Sequence, residues 1–242
     1  MSSYRDRIYK DYASNFQDAK PDFDETAQRR WGRAYDYYFR NWLPAKTDAA
    51  IVDLACGGGR LLFFFKERGF VNLTGVDLSP SQIQLAKQVV PNVIQASVLD
   101  FLEANPEKFD LITGLDIAEH FTKDELLRFL DGCYGALKPG GRVILQTPNA
   151  DSPWASNMRY YDFTHEICFT PNSIHRLLKL CGFHSPQSRE MGPPLGYSLF
   201  STVRALLWCV LRWKLIFWNY VETGQPGDGV YTRVFSVSGL KK

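Results

Sequence analysis

The residues Ile51-Val52-Asp53-Leu54-Ala55-Cys56 run as a mostly apolar strand into Gly57, Gly58 and Gly59, and the chain reopens at Arg60 into the apolar stretch 61–65. The glycines let backbone approach a ligand, and the helix start behind them presents unpaired N–H groups. In an open α/β sheet that place, beyond the carboxyl ends of the strands, receives a nucleotide-like molecule. A cofactor-dependent enzyme is therefore expected.

The acids and glycines narrow the cofactor. A dinucleotide fingerprint anchored on Gly57 and Gly59 requires a third glycine where Leu62 stands. Asp53 instead lies near the end of the first strand, and a second strand over 71–76 ends in Asp77, a carboxylate able to accept from both hydroxyls of a ribose. With VDLACGGG followed by VDLS, the chain resembles the class I S-adenosylmethionine (SAM)-dependent methyltransferases from about residue 51 to 146, and more weakly again in its last strands. The resemblance implies an α/β fold: a Rossmann-like, seven-stranded, mostly parallel sheet with helices on both faces. An N-terminal helical extension and a helical insertion before the last strand complete it. One domain would then span 1–242, with a cap at 1–45, a cofactor-binding core at 46–147 and an acceptor side at 148–242 that carries the insertion 195–222.

The resemblance also implies SAM contacts from Asp53, Ala55, Gly57, Gly59, Asp77, Leu78, Ser97, Val98, Leu99 and Leu115. Ala55 stands where the family usually has glycine, which moves the backbone slightly away from the methionine part of SAM. Ser97 replaces the commoner acid or amide at the adenine. Val98 and Leu99, in a loop over 97–100, would wall the ring.

Composition limits the partners. With 28 basic and 26 acidic residues among 242, a net charge of +2 gives no polyelectrolyte signal for nucleic acid. A small-molecule or glycan acceptor fits better. The five cysteines, Cys56, Cys133, Cys168, Cys181 and Cys209, lack C-x-x-C spacing and read as reduced core residues. The first residues, Met-Ser-Ser-Tyr-Arg-Asp, contain no apolar signal segment, so a cytoplasmic location is expected.

Along the chain, Trp31, Tyr35, Tyr38, Phe39 and Trp42 recur at helical spacings and predict a helix over 26–42 with an aromatic face. By resemblance, Tyr12 or Trp31 would touch ligand; plain packing on the sheet is the other reading. Helices follow at 60–68, closed by Gly69, and at 80–89, opened by Ser79-Pro80. Strands are expected at 92–96, 109–115 and 142–146, with the capping box Thr122–Glu125 opening a helix to 137. Thr170-Pro171 opens a helix ending at Cys181-Gly182, and 183–190 and 230–238 are the last two strands. His175 and His184 read as surface or packing residues.

Chemistry concentrates after the fourth strand in Asp116, Glu119 and His120, and downstream in Asp162-Phe163-Thr164-His165. This pattern resembles two class I subfamilies with a divalent ion beside the cofactor: the ubiquinone-pathway catechol O-methyltransferases and the small-RNA 2'-O-methyltransferases. The likeness implies that Asp116, Glu119, His120 and His165 are both catalytic and metal-ligating, with Mg2+ favoured by the family. Two imidazoles and two carboxylates suit Mn, Fe or Zn at least as well as Mg. A metal-free His120 acting as general base is the competing reading. The two acids favouring the start of the next helix is a third. The D-F-T-H run, L-x-x-C-G-F and the ending YTRVFSVSGLKK also resemble bacterial methyltransferases of cell-surface polysaccharide synthesis. The leading expectation is thus O-methylation of a sugar, glycan or glycolipid. The alternatives are a catechol or quinone-pathway acceptor, an amino-sugar N-methyltransferase, and a non-catalytic SAM-binding partner protein.

The segment 199–218 is apolar except for Arg204, Arg212 and Lys214, three bases expected on one side of a helix. Leu206, Cys209, Val210, Trp213, Ile216 and Phe217 fall on the other side. Three bases at these places argue against a spanning helix. Two readings stand: a lid over the acceptor site, or an interfacial helix giving peripheral membrane contact at the inner face.

Overall fold

The computed structural model describes Ile8 and residues 23–242; Tyr12 lies outside the described residues. Seven strands form one sheet in the order β3-β2-β1-β4-β5-β7-β6. They are β1 (Ile51–Leu54), β2 (Leu73–Asp77), β3 (Val93–Gln95), β4 (Phe109–Leu115), β5 (Leu137–Pro148), β6 (His184–Glu190) and β7 (Val234–Leu240). β7 alone runs antiparallel, between β5 and β6. This is the class I methyltransferase architecture expected from the sequence.

Alternation along the strands divides the core. Val52 and Leu54 face one layer with Ile112, Val143 and Leu145, while Ile51 faces the other with Leu111 and Ile144. The first layer is closed by α4 (Val98–Glu103), α5 (Lys123–Ala136) and α7 (Pro171–Leu180), through Leu102, Phe129 and Ile174. The second is closed by α1 (Glu25–Tyr38), α2 (Arg60–Lys66) and α3 (Pro80–Ala86), through Tyr35, Phe64 and Ile83, with Phe39 just past α1. Phe39 and Phe64 are fully buried edge to face with centroids 6.2 Å apart. Each such ring contributes on the order of 2–3 kcal/mol by burial. α1 starts at Asp24, whose carboxylate accepts from Ala27 N at 3.0 Å.

Local chemistry shifts several boundaries from the sequence expectation. Residues 98–103 form α4, with Ser97 at its N-cap, in place of a loop. β5 begins at Leu137, and its pairing with β4 is interrupted between Leu137 and Arg142, where the Pro139-Gly140-Gly141 turn takes Gly140 to φ +79°. β7 starts at Val234 because the carbonyls of Val230 and Thr232 are taken by Asn149 Nδ2, and Tyr231 N by Glu190. A further short helix, α6 (Ala155–Tyr160), lies in the acceptor half.

The insertion forms α8 (Leu199–Thr223), capped by Ser198 and closed by Gly224 at φ +73°. The three bases do not share a side. Arg212 turns inward, donating from Nε to Gly229 O at 2.8 Å and pairing with Glu190 at 3.2 Å. A carboxylate at the end of β6 and a backbone carbonyl outcompete water for the guanidinium. Trp208 joins it, donating to Glu190 at 3.2 Å. Leu206, Val210, Trp213 and Phe217 consequently face solvent, and Cys209 is exposed rather than in a core. Among the described residues, no helix is long and apolar enough to cross a membrane.

Candidate active site

The glycine turn between β1 and α2 borders a cavity of about 620 Å³ at the carboxyl edge of the sheet. That volume suits a nucleoside-sized ligand. Its wall includes Asp53, Ala55, Gly57 and Leu115 from the sequence candidates, together with Trp31 and Asp116. The turn is held by Asp77: Oδ2 accepts from Gly57 N and Oδ1 from Ser79 N, both at 2.8 Å. Asp77 thus fixes the backbone of the turn, and burial pushes its carboxyl up despite those bonds. Asp53 accepts from the Thr113 hydroxyl at 2.8 Å, and burial pushes its carboxyl up to about 7.

Ala55 adopts φ +53°, a left-handed conformation costing a residue with a Cβ about 1 kcal/mol. The glycine usual in this family would sit there without that strain. Leu78 is exposed, whereas Val98 and Leu99 are half-buried on the core beside Ser97. Neither Asp77, Leu78 nor residues 97–99 line that cavity. They stand at the adjoining ends of β2 and β3.

A second arrangement lies beyond β4. One ligand atom each from Glu119, His120 and His165 lies within 4.8 Å of the others. The imidazole rings meet edge to face at 4.8 Å between centroids. The short 3-10 turn Ala118–His120 carries the first two residues, and the Glu119 carbonyl accepts from Glu166 N and Ile167 N, bringing His165 alongside. Arg159 braces the same loop by donating to the His165 and Glu166 carbonyls.

The neighbours fix both tautomers. Thr164 gives its hydroxyl proton to Asp162 Oδ1 at 2.7 Å, so neutral His120 donates to Thr164 from Nδ1 at 2.8 Å and carries its lone pair at Nε2. Met158 O accepts from His165 Nδ1 at 3.0 Å, with the same result. Glu119 is fully buried. Its Oε2 accepts from Thr147 at 3.2 Å, while Oε1 has no hydrogen-bond partner among the described residues. Burial, reinforced by the nearby Asp116 charge, drives the Glu119 carboxyl well above the usual range. A buried carboxylate oxygen left open beside two imidazole lone pairs is a donor set that fits a divalent cation.

Asp116, the fourth expected ligand, stands apart from this group. Both its oxygens accept from Gln146 Nε2, at 2.9 and 2.8 Å, and it faces the glycine-turn cavity. Its left-handed backbone, φ +53°, turns the side chain toward β5. Burial raises its carboxyl, offset by Gln146 and by His165.

Residues 23–185 match the family described as a methyltransferase domain. The chain belongs to that family. The ubiquinone biosynthesis O-methyltransferase of Pseudomonas aeruginosa (strain UCBPP-PA14) is 28% identical over 144 residues, covering 52% of this chain and 61% of that relative. The chain thus spans less than two thirds of the curated relative it matches. The crystal structure of a SAM-dependent methyltransferase from Archaeoglobus fulgidus superposes with a TM-score of 0.66 at 19% identity, covering 99% of this chain and all of that one. A Haemonchus contortus phosphoethanolamine N-methyltransferase 2 in complex with SAM gives 0.59 at 17% identity, covering 96% and 60%. These structural likenesses concern the fold.

Within this methyltransferase domain, Tyr35 and Gln146 join the site unforeseen. Tyr35 Oη donates to Gln146 Oε1 at 2.8 Å, so a tyrosine of the aromatic stripe on α1 reaches the end of β5. A glutamine in an otherwise apolar strand was the available signal. Trp31 packs on Tyr35 at 4.2 Å between centroids and also lines the cavity, so packing and ligand contact are both open to it. His175 bonds Ser188 on the far side of the domain, and His184 is exposed, as expected.

Proposed function

We propose that this chain is a SAM-dependent O-methyltransferase acting on a hydroxyl of a sugar, glycan or glycolipid, with a divalent ion at Glu119, His120 and His165. The observation that carries the reading is the Glu119 carboxyl, fully buried with Oε1 unbonded among the described residues, in a group where it, His120 and His165 each offer a ligand atom within 4.8 Å of the others. Such an oxygen is costly unless a cation or a proton meets it. SAM would supply the methyl group to be displaced in line, and the ion would hold two neighbouring acceptor oxygens and acidify the attacking one.

The chain's own residues do the positioning. Asp77 holds the glycine turn in the shape that receives SAM, and Gln146 keeps Asp116 against the cavity wall. Asp162 through Thr164, and the Met158 carbonyl, take up the two Nδ1 positions, so a neutral imidazole at either place carries its lone pair at Nε2. Without an ion, an Nε2 lone pair can instead take the hydroxyl proton as the oxygen attacks. Alignment of acceptor and sulfonium supplies an effective molarity on the order of 10⁵ M or more.

The Asp162–Thr164–His120 relay favours a second mechanism, His120 as a general base without an ion. Likeness to the ubiquinone-pathway enzyme favours a catechol as second acceptor class. Release of S-adenosylhomocysteine with vicinal-diol sugars, catechols and amines, before and after chelation, separates these readings. Turnover of amines alone would overturn O-methylation. Undiminished turnover after exhaustive chelation would overturn the ion.

A further inference from the structure

The outward face of α8 has no partner among the described residues. No residue of the helix is buried, and Trp213, Phe217 and Trp218 are 63%, 69% and 69% exposed. Leu206, Val210 and Val221 extend the same apolar face along 25 residues, a helix about 37 Å long. A continuous apolar surface of this size marks a contact site.

Its charges select the occupant. Between Gly192 and Val221 the sequence contains no acidic residue. Of the three bases, Arg212 is spent inward on Glu190 and Gly229, leaving Arg204 and Lys214 exposed. Lys214 falls among the outward apolar side chains, and tryptophans and a tyrosine, Trp213, Trp218 and Tyr220, flank it. Cations amid apolar and amphipathic aromatic side chains match the headgroup boundary of an anionic bilayer.

The same charges disfavour a second copy. An antiparallel pairing of two such helices would bury each Lys214 with no acid opposite, since Glu222, the helix's one carboxylate, stands at its C-terminal end. The helix is also tethered at the catalytic edge. β6 runs parallel to β5, and from its carboxyl end the chain passes through Gly192, whose carbonyl accepts from Tyr38 at 2.8 Å.

We infer that α8 seats the protein peripherally on an anionic phospholipid surface through Leu206, Val210, Trp213, Phe217 and Lys214. Docking is separable from methyl transfer and is tested without acceptor. The full chain is sedimented with vesicles of phosphatidylcholine alone or mixed with phosphatidylglycerol, at low and high salt. Pelleting with the mixed vesicles, reduced several-fold by salt, with a blue shift of tryptophan emission, is expected. A Leu206→Ser, Val210→Ser, Phe217→Ser variant, altered only at exposed positions, should keep the wild-type circular dichroism and lose at least tenfold in partitioning. Lys214→Glu should weaken binding to mixed vesicles while leaving any residual affinity for neutral ones. Absence of pelleting at low salt, or equal pelleting of the triple variant, would overturn the inference. So would a lipid-free dimer by sedimentation velocity that the triple variant dissolves.

Discussion

Tyr35 Oη donates to Gln146 Oε1 at 2.8 Å across 111 residues, and Gln146 passes both its Nε2 contacts to Asp116. The bond fixes which way the amide faces, so α1 sets the carboxylate that borders the cavity. Burial keeps the phenol protonated well past its ordinary range, so the relay persists through alkaline assays.

Tyr35→Phe removes one donor and orphans a buried carbonyl oxygen. A stability loss of about 1–2 kcal/mol is expected from the denaturant midpoint, with a several-fold weaker calorimetric affinity for SAM. Unchanged affinity would mean that the relay is only structural.

Chelation tests the Glu119 cluster. With an ion in place, chelator should abolish turnover, spare SAM binding, and be reversed by added metal. His120→Ala and His165→Ala should each lower metal content measured by mass spectrometry, by about 10- to 100-fold in affinity. Activity lost in one histidine variant alone, by roughly a hundredfold with chelation harmless, would identify that histidine as a lone base.

Asp53 sets a pH dependence with a definite sign. Its folded value of about 7 lies above the ordinary 3.8. Below 3.8 both folded and unfolded chains hold the proton, and this contribution is fully present. Between there and about 7 the folded state keeps a proton that the unfolded chain has lost, so stability falls as pH rises. The full loss, above 7, is about 4 kcal/mol. Asp53→Asn should flatten that slope relative to wild type in urea unfolding of the ligand-free protein. Parallel curves would refute the protonated Asp53.

The glycine turn gives a pair of opposite signs. Ala55→Gly relieves a left-handed residue and should raise stability by about 0.5 kcal/mol, after the extra chain entropy of glycine. Gly59→Ala places a Cβ 3.1 Å from the Ala86 backbone at φ +86° and should cost about 2 kcal/mol or more. Thermal melts check both; a shift of the same sign in the two would contradict the backbone reading.

Elements with strong local signals were legible. The break from apolar strand to Gly57–Gly59 located the cavity, and the capping box at Thr122 located α5. Residues bound by distant partners were not. Sequence spacing put Arg212 with Arg204 and Lys214, because helical periodicity contains no knowledge of Glu190 at the end of β6. It grouped Asp116 with Glu119 and His120 by proximity in the chain, whereas Gln146, thirty residues on, claims its carboxylate. Asp77 and Asp53 divided their tasks in a way set by Thr113 and by the depth of each strand end in the sheet.

The antiparallel insertion of β7 between β5 and β6 has a topological outcome. The chain leaves β6 and re-enters β7 on one edge of the sheet, the edge that carries the cavity and both imidazoles. A connection that begins and ends on the same side needs no crossover, and lengthening it adds closure entropy only logarithmically. New sequence is accommodated here at little cost, on the edge that carries the cavity. Residues 191–233 can therefore change in length and sequence without disturbing the pairing of β5, β7 and β6.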